Sequence, residues 1–145
     1  MVLYLDPNGG EVTKILANSY HIKLSSKQTD GEFTMMEGIV LSGEGLHLLS
    51  PAMHIHPFEH EVFYVLESSC VYASRGVVHT FRNINGINAR PALLQFWFSP
   101  AGIENYFQQV SCALNQKPPD LDLVMEIAKE WGIDIIGSPN WSIAG

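Results

Sequence analysis

Basic residues are scarce in this chain: eight Lys and Arg stand against fifteen Asp and Glu, a formal charge of −7. No window gathers the basic side chains into a stripe that could neutralise a phosphate backbone, so nucleic acid is not an expected partner. Cysteine is scarcer still. Cys70 and Cys112 are too few for a disulfide scaffold, and their neighbours carry no charge pattern that would activate a thiolate; both are expected as buried small hydrophobes. The opening apolar run, Val2-Leu3-Tyr4-Leu5, is short and lacks a basic leader, and no segment approaches the roughly 20 apolar residues of a membrane span. The expectation is a cytoplasmic protein with no membrane partner. A nucleophile elbow of the Gly-x-Ser-x-Gly kind is absent from the sequence, and Gly43-Glu44-Gly45 opens no helix that could hold a phosphate.

Apolar residues, by contrast, make up 46% of the 145 positions, enough for one core and one domain spanning 1–145. From Leu3 to Phe98 short runs rich in β-branched and aromatic residues are each closed by Gly, Pro, Asn or Ser, which predicts an all-β body over about 1–99. The predicted strands are Val2 to Leu5, Ser19 to Leu24, Phe33 to Leu41, Met53 to His56, Glu61 to Glu67, Cys70 to Ala73, Val78 to Asn83 and Ala92 to Phe98. Turns are expected at Asp6 to Gly10, Asp30-Gly31, Ser42 to Gly45 and Asn85-Gly86. After Pro100 the period changes. Ile103, Tyr106, Phe107 and Val110, then Leu121, Val124, Met125, Ala128 and Trp131, recur at helical spacing, with Asp120 as an N-cap and Gly132 as the residue past the end. This C-terminal helical segment, about 100–145, reads as amphipathic cover for the β body.

The chemistry is concentrated in Met53-His54-Ile55-His56-Pro57-Phe58-Glu59-His60-Glu61. Alternate residues of a strand share a face, so His54 and His56 point the same way and can meet one ion. Pro57 ends that strand, and a tight turn would bring Glu61 back as a third ligand. Glu59 has the same parity and competes for that role. His60 has the opposite parity and is expected at the turn or surface, as His21 and His47 are on strand or loop surface. In Arg75-Gly76-Val77-Val78-His79 a fourth donor, His79, stands just after a glycine. Three imidazoles and a carboxylate suit a divalent first-row ion: Fe, Mn, Co, Ni, Cu or Zn.

The segment resembles the cupin superfamily, whose first motif reads G-x5-H-x-H-x3-4-E-x6-G and whose second reads G-x5-P-x-G-x2-H-x3-N. His54-Ile55-His56 with Glu61 match the first, and Gly76, His79 and Asn83 match the second. The phrases Glu61 to Glu67 and His79 to Asn83 further resemble small single-domain cupins of the quercetin 2,3-dioxygenase-like kind, and the tail Glu126 to Pro139 resembles the closing helix and strand of that subgroup. Leu48 stands where the first motif has its leading glycine and Ser74 where the second has its proline. Between the motifs Glu67 runs through Ser68-Ser69 straight into Cys70, which implies a jelly-roll barrel lacking roughly two inter-motif strands, the remaining strands joined by a direct hairpin. A truncated sheet leaves an open edge, so either a partner chain, as in a homodimer, or the C-terminal helices are expected to cover it.

The resemblance implies a metal-dependent dioxygenase-like enzyme acting on a small phenolic or enolic molecule. His54, His56, Glu61 and His79 would bind the metal, and Glu61 would also be the catalytic base that takes the enol proton. Met36, Phe63, Phe81, Phe96 and Phe98 would line the substrate pocket. The alternatives it leaves open are a cupin isomerase, cyclase or decarboxylase of a natural-product pathway, and a non-catalytic ligand-binding cupin.

Overall fold

The computed structural model describes residues 2–41, 51–66, 69–83 and 90–138. The expected turns at Ser42 to Gly45 and Asn85-Gly86, together with His47 and Leu48, lie outside them. In chain order the elements are β1 (Glu11–Ile15), β2 (Asn18–Leu24), β3 (Thr34–Val40), β4 (Met53–Ile55), β5 (His60–Val65), β6 (Cys70–Ala73), β7 (Ala92–Ser99), α1 (Ile103–Leu114), α2 (Leu121–Glu130) and β8 (Asp134–Gly137). Six strands form an antiparallel sheet in the order β1-β2-β3-β7-β5-β6, and β4 pairs with β8 in a small second sheet. The protein is thus mostly β with two helices. No helix among the described residues is long and apolar enough to cross a membrane.

Strand alternation builds the core. Met36 of β3, Phe96 of β7 and Phe63 of β5 stand side by side across the large sheet, and Thr34, Phe98 and Glu61 form the next row. All six are buried, so across these three strands an apolar row lies beside a row with two polar members. Gly38 belongs to this face because a Cβ there would stand 2.6 Å from the Phe96 ring and 3.1 Å from Tyr20. The Phe96 ring sits 5.5 Å from those of Phe63 and Phe81 and 5.8 Å from that of Tyr20.

Four departures from the sequence reading have physical reasons. Residues 2–5 form no strand; the first strand follows the Asp6–Gly10 turn instead, and the β1–β2 hairpin turns at Leu16-Ala17, which carries no glycine or proline to announce it. The Val78–Asn83 segment is not a strand. It meets β4 at the single pair His79 and His54, and the carbonyl where the ladder would continue, Ala52 O, is bonded instead to His54 Nδ1 at 2.7 Å. The C-terminal segment is not wholly helical, because β8 returns to pair with β4; the β body therefore extends beyond residue 99. Cys70 and Cys112 are exposed: one lies on the last strand of the sheet, the other on the outer side of α1. The direct hairpin between β5 and β6 is present, closed by the Val65 N–H donating to Ser69 O at 2.8 Å.

Helix α1 is fastened to the sheet by a buried acid. Glu104, 2% exposed, accepts from the Ser26 N–H and hydroxyl at 2.7 and 2.6 Å, from the Thr34 hydroxyl at 2.5 Å and from the Gly102 N–H at 3.0 Å. Burial alone would raise its pKa, but the hydrogen bonds from Ser26 and Thr34 outweigh burial and hold the carboxyl below its ordinary value. Helix α2 is capped by Asp120, whose side chain accepts from the Leu123 N–H at 2.9 Å. Glu104→Gln leaves donors facing an amide that cannot accept from all of them, and should destabilise the protein by about 2–4 kcal/mol in urea unfolding. Because the folded pKa is depressed, this stabilisation is full above the unfolded carboxyl pKa and is lost as pH falls through the folded one; the Gln variant should lack that acid dependence.

Candidate metal centre

The predicted ligands converge. His54, His56, Glu61 and His79 each offer one donor atom, and these four atoms lie within 4.8 Å of one another. Backbone pairing brings them together. The His54 N–H donates to His79 O and the His79 N–H to His54 O, both at 3.1 Å, so the two histidines stand directly opposite. Gly76, at φ +76°, turns the chain after β6 and donates its N–H to His56 O at 3.0 Å, which registers the returning segment on β4. Glu61 arrives from the facing sheet, inside the row it shares with Phe98 and Ala73.

The imidazoles are oriented as well as placed. Nδ1 of His54 is bonded to Ala52 O at 2.7 Å and Nδ1 of His79 to Val77 O at 2.9 Å, which leaves Nε2 of each for the cluster. Nε2 of His79 lies 2.8 Å from Glu61 Oε2, and Nε2 of His56 lies 3.7 Å from the same oxygen. His56 and Glu61 are 4% and 3% exposed. Buried carboxylate and imidazole groups demand compensation, and an ion with bonds of about 2.1 Å would hold neighbouring donors about 3–4 Å apart. The widest separation in the group, 4.8 Å, would close by about 1–2 Å around such an ion, and the donor chemistry suits a divalent first-row metal.

Electrostatics divides the histidines. Burial, the neighbouring His56 and His79, and a smaller opposing contribution from Ala52 O leave His54 with a pKa lowered to about 4. Burial also works against a charge on His79, yet its hydrogen bonds to Glu61 and Val77 and the Glu61 charge prevail and raise its pKa. His54 is therefore a ready neutral ligand, whereas contact with Glu61 favours a proton on His79.

A cavity of about 320 Å³ opens on the centre, with His54, His56 and Glu61 in its wall. Of the expected pocket residues, Phe81 and Phe96 line it; Phe63 and His79 instead face a second cavity of about 300 Å³, which Phe81 also borders. Met36 and Phe98, at 0% and 1% exposed, line neither and are core. The rest of the first wall comes from residues the sequence reading left out: Tyr20, whose phenol pKa is raised by burial, and the helices, through Tyr106, Phe107, Val110, Val124 and Met125. Leu121 and Met125, which the sequence reading places in the covering stripe of α2, are exposed at this cavity, while Ile127 and Ala128 are the buried residues of the helix. Glu59 lies outside the donor group, and His60 bonds Tyr72 on the far side of β5, 2.7 Å from its hydroxyl.

The two shifted histidines give opposite pH dependences in the metal-free protein. His54, depressed, should cost stability as pH falls from about 6.5 toward 4, because only the unfolded chain takes up its proton there. His79, raised, contributes stability below the unfolded histidine pKa that is lost as pH rises through its folded value. Metal uptake must release the His79 proton, so affinity should rise with pH through that second range; urea unfolding and metal titration across pH 4–8 read both. Compared with protein-family models the chain matches none, and no curated protein matches it; what the centre can do is read from these side chains.

Proposed function

We propose that the chain is a metal-dependent cupin, a jelly roll shortened between its two motifs, with dioxygenase-like activity on a small phenolic or enolic molecule. One observation carries the reading: three imidazoles and a carboxylate meet within 4.8 Å at the wall of a cavity that is otherwise mostly apolar. No Lys or Arg stands among the described residues lining it, so a neutral ligand is favoured over a phosphate or a carboxylate. The flat faces of Phe81, Phe96 and Phe107 suit an aromatic ring.

His54, His56, Glu61 and His79 would hold the ion, which when bound supplies Lewis acidity to a substrate oxygen and, if redox-active, one-electron chemistry with dioxygen. Glu61, in contact with His79 Nε2 through Oε2, would be the base that takes a proton from a phenol or enol hydroxyl. Helices α1 and α2 supply much of the cavity wall and would cover one side of a bound substrate. A second copy is the proposed cover for the end strand β6, where Val71 and Tyr72 are more than half exposed.

Protein purified without a histidine tag should contain close to one first-row ion per chain by elemental analysis. His79→Ala should weaken binding by more than the roughly 10–100-fold that loss of an outer partner costs. Oxygen uptake in step with consumption of a phenolic substrate supports the dioxygenase reading. Turnover without oxygen uptake assigns the site to isomerase, cyclase or decarboxylase chemistry, and ligand binding that survives His54→Ala with no metal present assigns it to a non-catalytic binder. Light scattering should give the mass of a dimer.

A further inference from the structure

We propose that Glu59 is a positioning residue of the metal centre: its carboxylate takes the Nδ1–H of His56 and so fixes that ring with Nε2 turned toward the other donors. The proposal rests on the metal reading above and adds a residue to it.

The case begins with the backbone. His54 and His79 each have Nδ1 bonded to the carbonyl two residues earlier, Ala52 O and Val77 O. The same relation would give His56 the carbonyl of His54. That oxygen, however, is engaged by the His79 N–H at 3.1 Å, in the pairing that joins the two histidine segments. The third imidazole is thus left without the carbonyl clip that holds the other two, and its Nδ1 is buried with no hydrogen-bond partner among the described residues.

Glu59 Oε2 stands 3.7 Å from that nitrogen and is itself buried without a hydrogen-bond partner among the described residues. A donor and an acceptor, each sealed from solvent, face each other across a gap about 0.8 Å longer than a hydrogen bond. Leaving both unmade is costly, and a small side-chain rotation within the His56–Glu59 bend closes the contact. The bend is held from outside: a Cβ on Gly132, at φ +70°, would stand 2.6 Å from the Phe58 ring.

A carboxylate does more here than a carbonyl. The hydrogen bond becomes charge-assisted, and it makes the opposite ring nitrogen a stronger donor to the metal. It also balances charge. A divalent ion on three neutral imidazoles and Glu61 leaves one positive charge in an apolar wall, and Glu59, 7% exposed, supplies the second negative charge. The position of Glu59 on the Nδ1 side of His56, outside the four-donor group, explains how two acids of the same parity can serve one centre in different roles.

The test uses the full chain, cobalt(II) alone as the probe, and the variants Glu59→Gln and Glu59→Ala. Gln keeps an acceptor of the same size without the charge; Ala removes both. Cobalt affinity should fall roughly 10–100-fold in Ala and by an intermediate factor in Gln, with the ligand-field absorption of bound cobalt altered in both. Equal affinities and superimposable spectra across the series overturn the proposal while leaving the metal reading intact, and a role in folding alone would change the melting temperature without ordering the affinities. In metal-free protein with ¹⁵N-labelled histidine, the Nδ1–H resonance of His56 should move on Glu59→Gln; an unmoved resonance refutes the contact itself. Wild-type protein that takes up no cobalt ends the metal reading, and the resonance then decides whether the contact stands alone.

Discussion

The centre depends on one pair of backbone hydrogen bonds, those exchanged by His54 and His79. They are short-range and ordinary, each worth about 1 kcal/mol net, yet they determine which side chains can meet. Facing residues of an antiparallel pair project to the same side, so joining His54 to His79 puts those two imidazoles together, and strand alternation adds His56. The Gly76 N–H to His56 O bond locks the register, since a slip by one residue would put His79 on the opposite face from His54 and His56. The His54 carbonyl is directed to the His79 N–H in the same pairing, and His56 Nδ1, without a carbonyl partner, faces Glu59.

The large sheet supplies the other half. Its inner face is a layer of aromatic and aliphatic side chains in which Glu61 is buried at 3% exposure beside Phe98. An isolated carboxylate in such a place is costly, and the 2.8 Å bond from His79 is its compensation in the metal-free protein. The polar cluster is therefore what joins the two sheets at this end of the core. Compensation by a proton on His79 and compensation by an ion are alternatives at the same atoms, which is why proton release and metal uptake are linked in this centre.

How much of this was legible depended on how local the determining contact is. The parity of His54 and His56, the Asp120 cap and the Gly132 stop follow from spacing within one element; the preference for Glu61 over Glu59 rests on the motif resemblance, since parity leaves both open, and Glu61 is the acid that joins the donor group. What was hidden rests on contacts between distant segments. The pairing of β8 with β4 joins segments far apart in the chain, and the Val78–Asn83 run meets β4 at one bridge, the next carbonyl along, Ala52 O, being bonded to the His54 ring. Met36 and Phe98 have the same alternation as Phe96, and only the position of the helices decides which of the three meets a cavity and which is sealed. Glu59 could be seen as an acid of the right parity, but its relation to His56 appears only once the His54 carbonyl is known to be spoken for.

The C-terminal segment is more than cover for the β body. Helix α2 ends at Gly132, Ile133 enters the main core, and β8 then pairs with the strand that carries His54. One continuous stretch thus contributes to the cavity wall, presses its glycine against the Phe58 ring beside Glu59, and pairs along the ligand strand. A side chain at residue 132 would meet a backbone at positive φ and an aromatic ring at 2.6 Å together, so the close approach is available to glycine alone. The geometry of the ligand strand and of the bend that follows it are therefore coupled through a segment that supplies no ligand, and packing forces far along the chain from His54 and His56 decide how closely the four donors can gather.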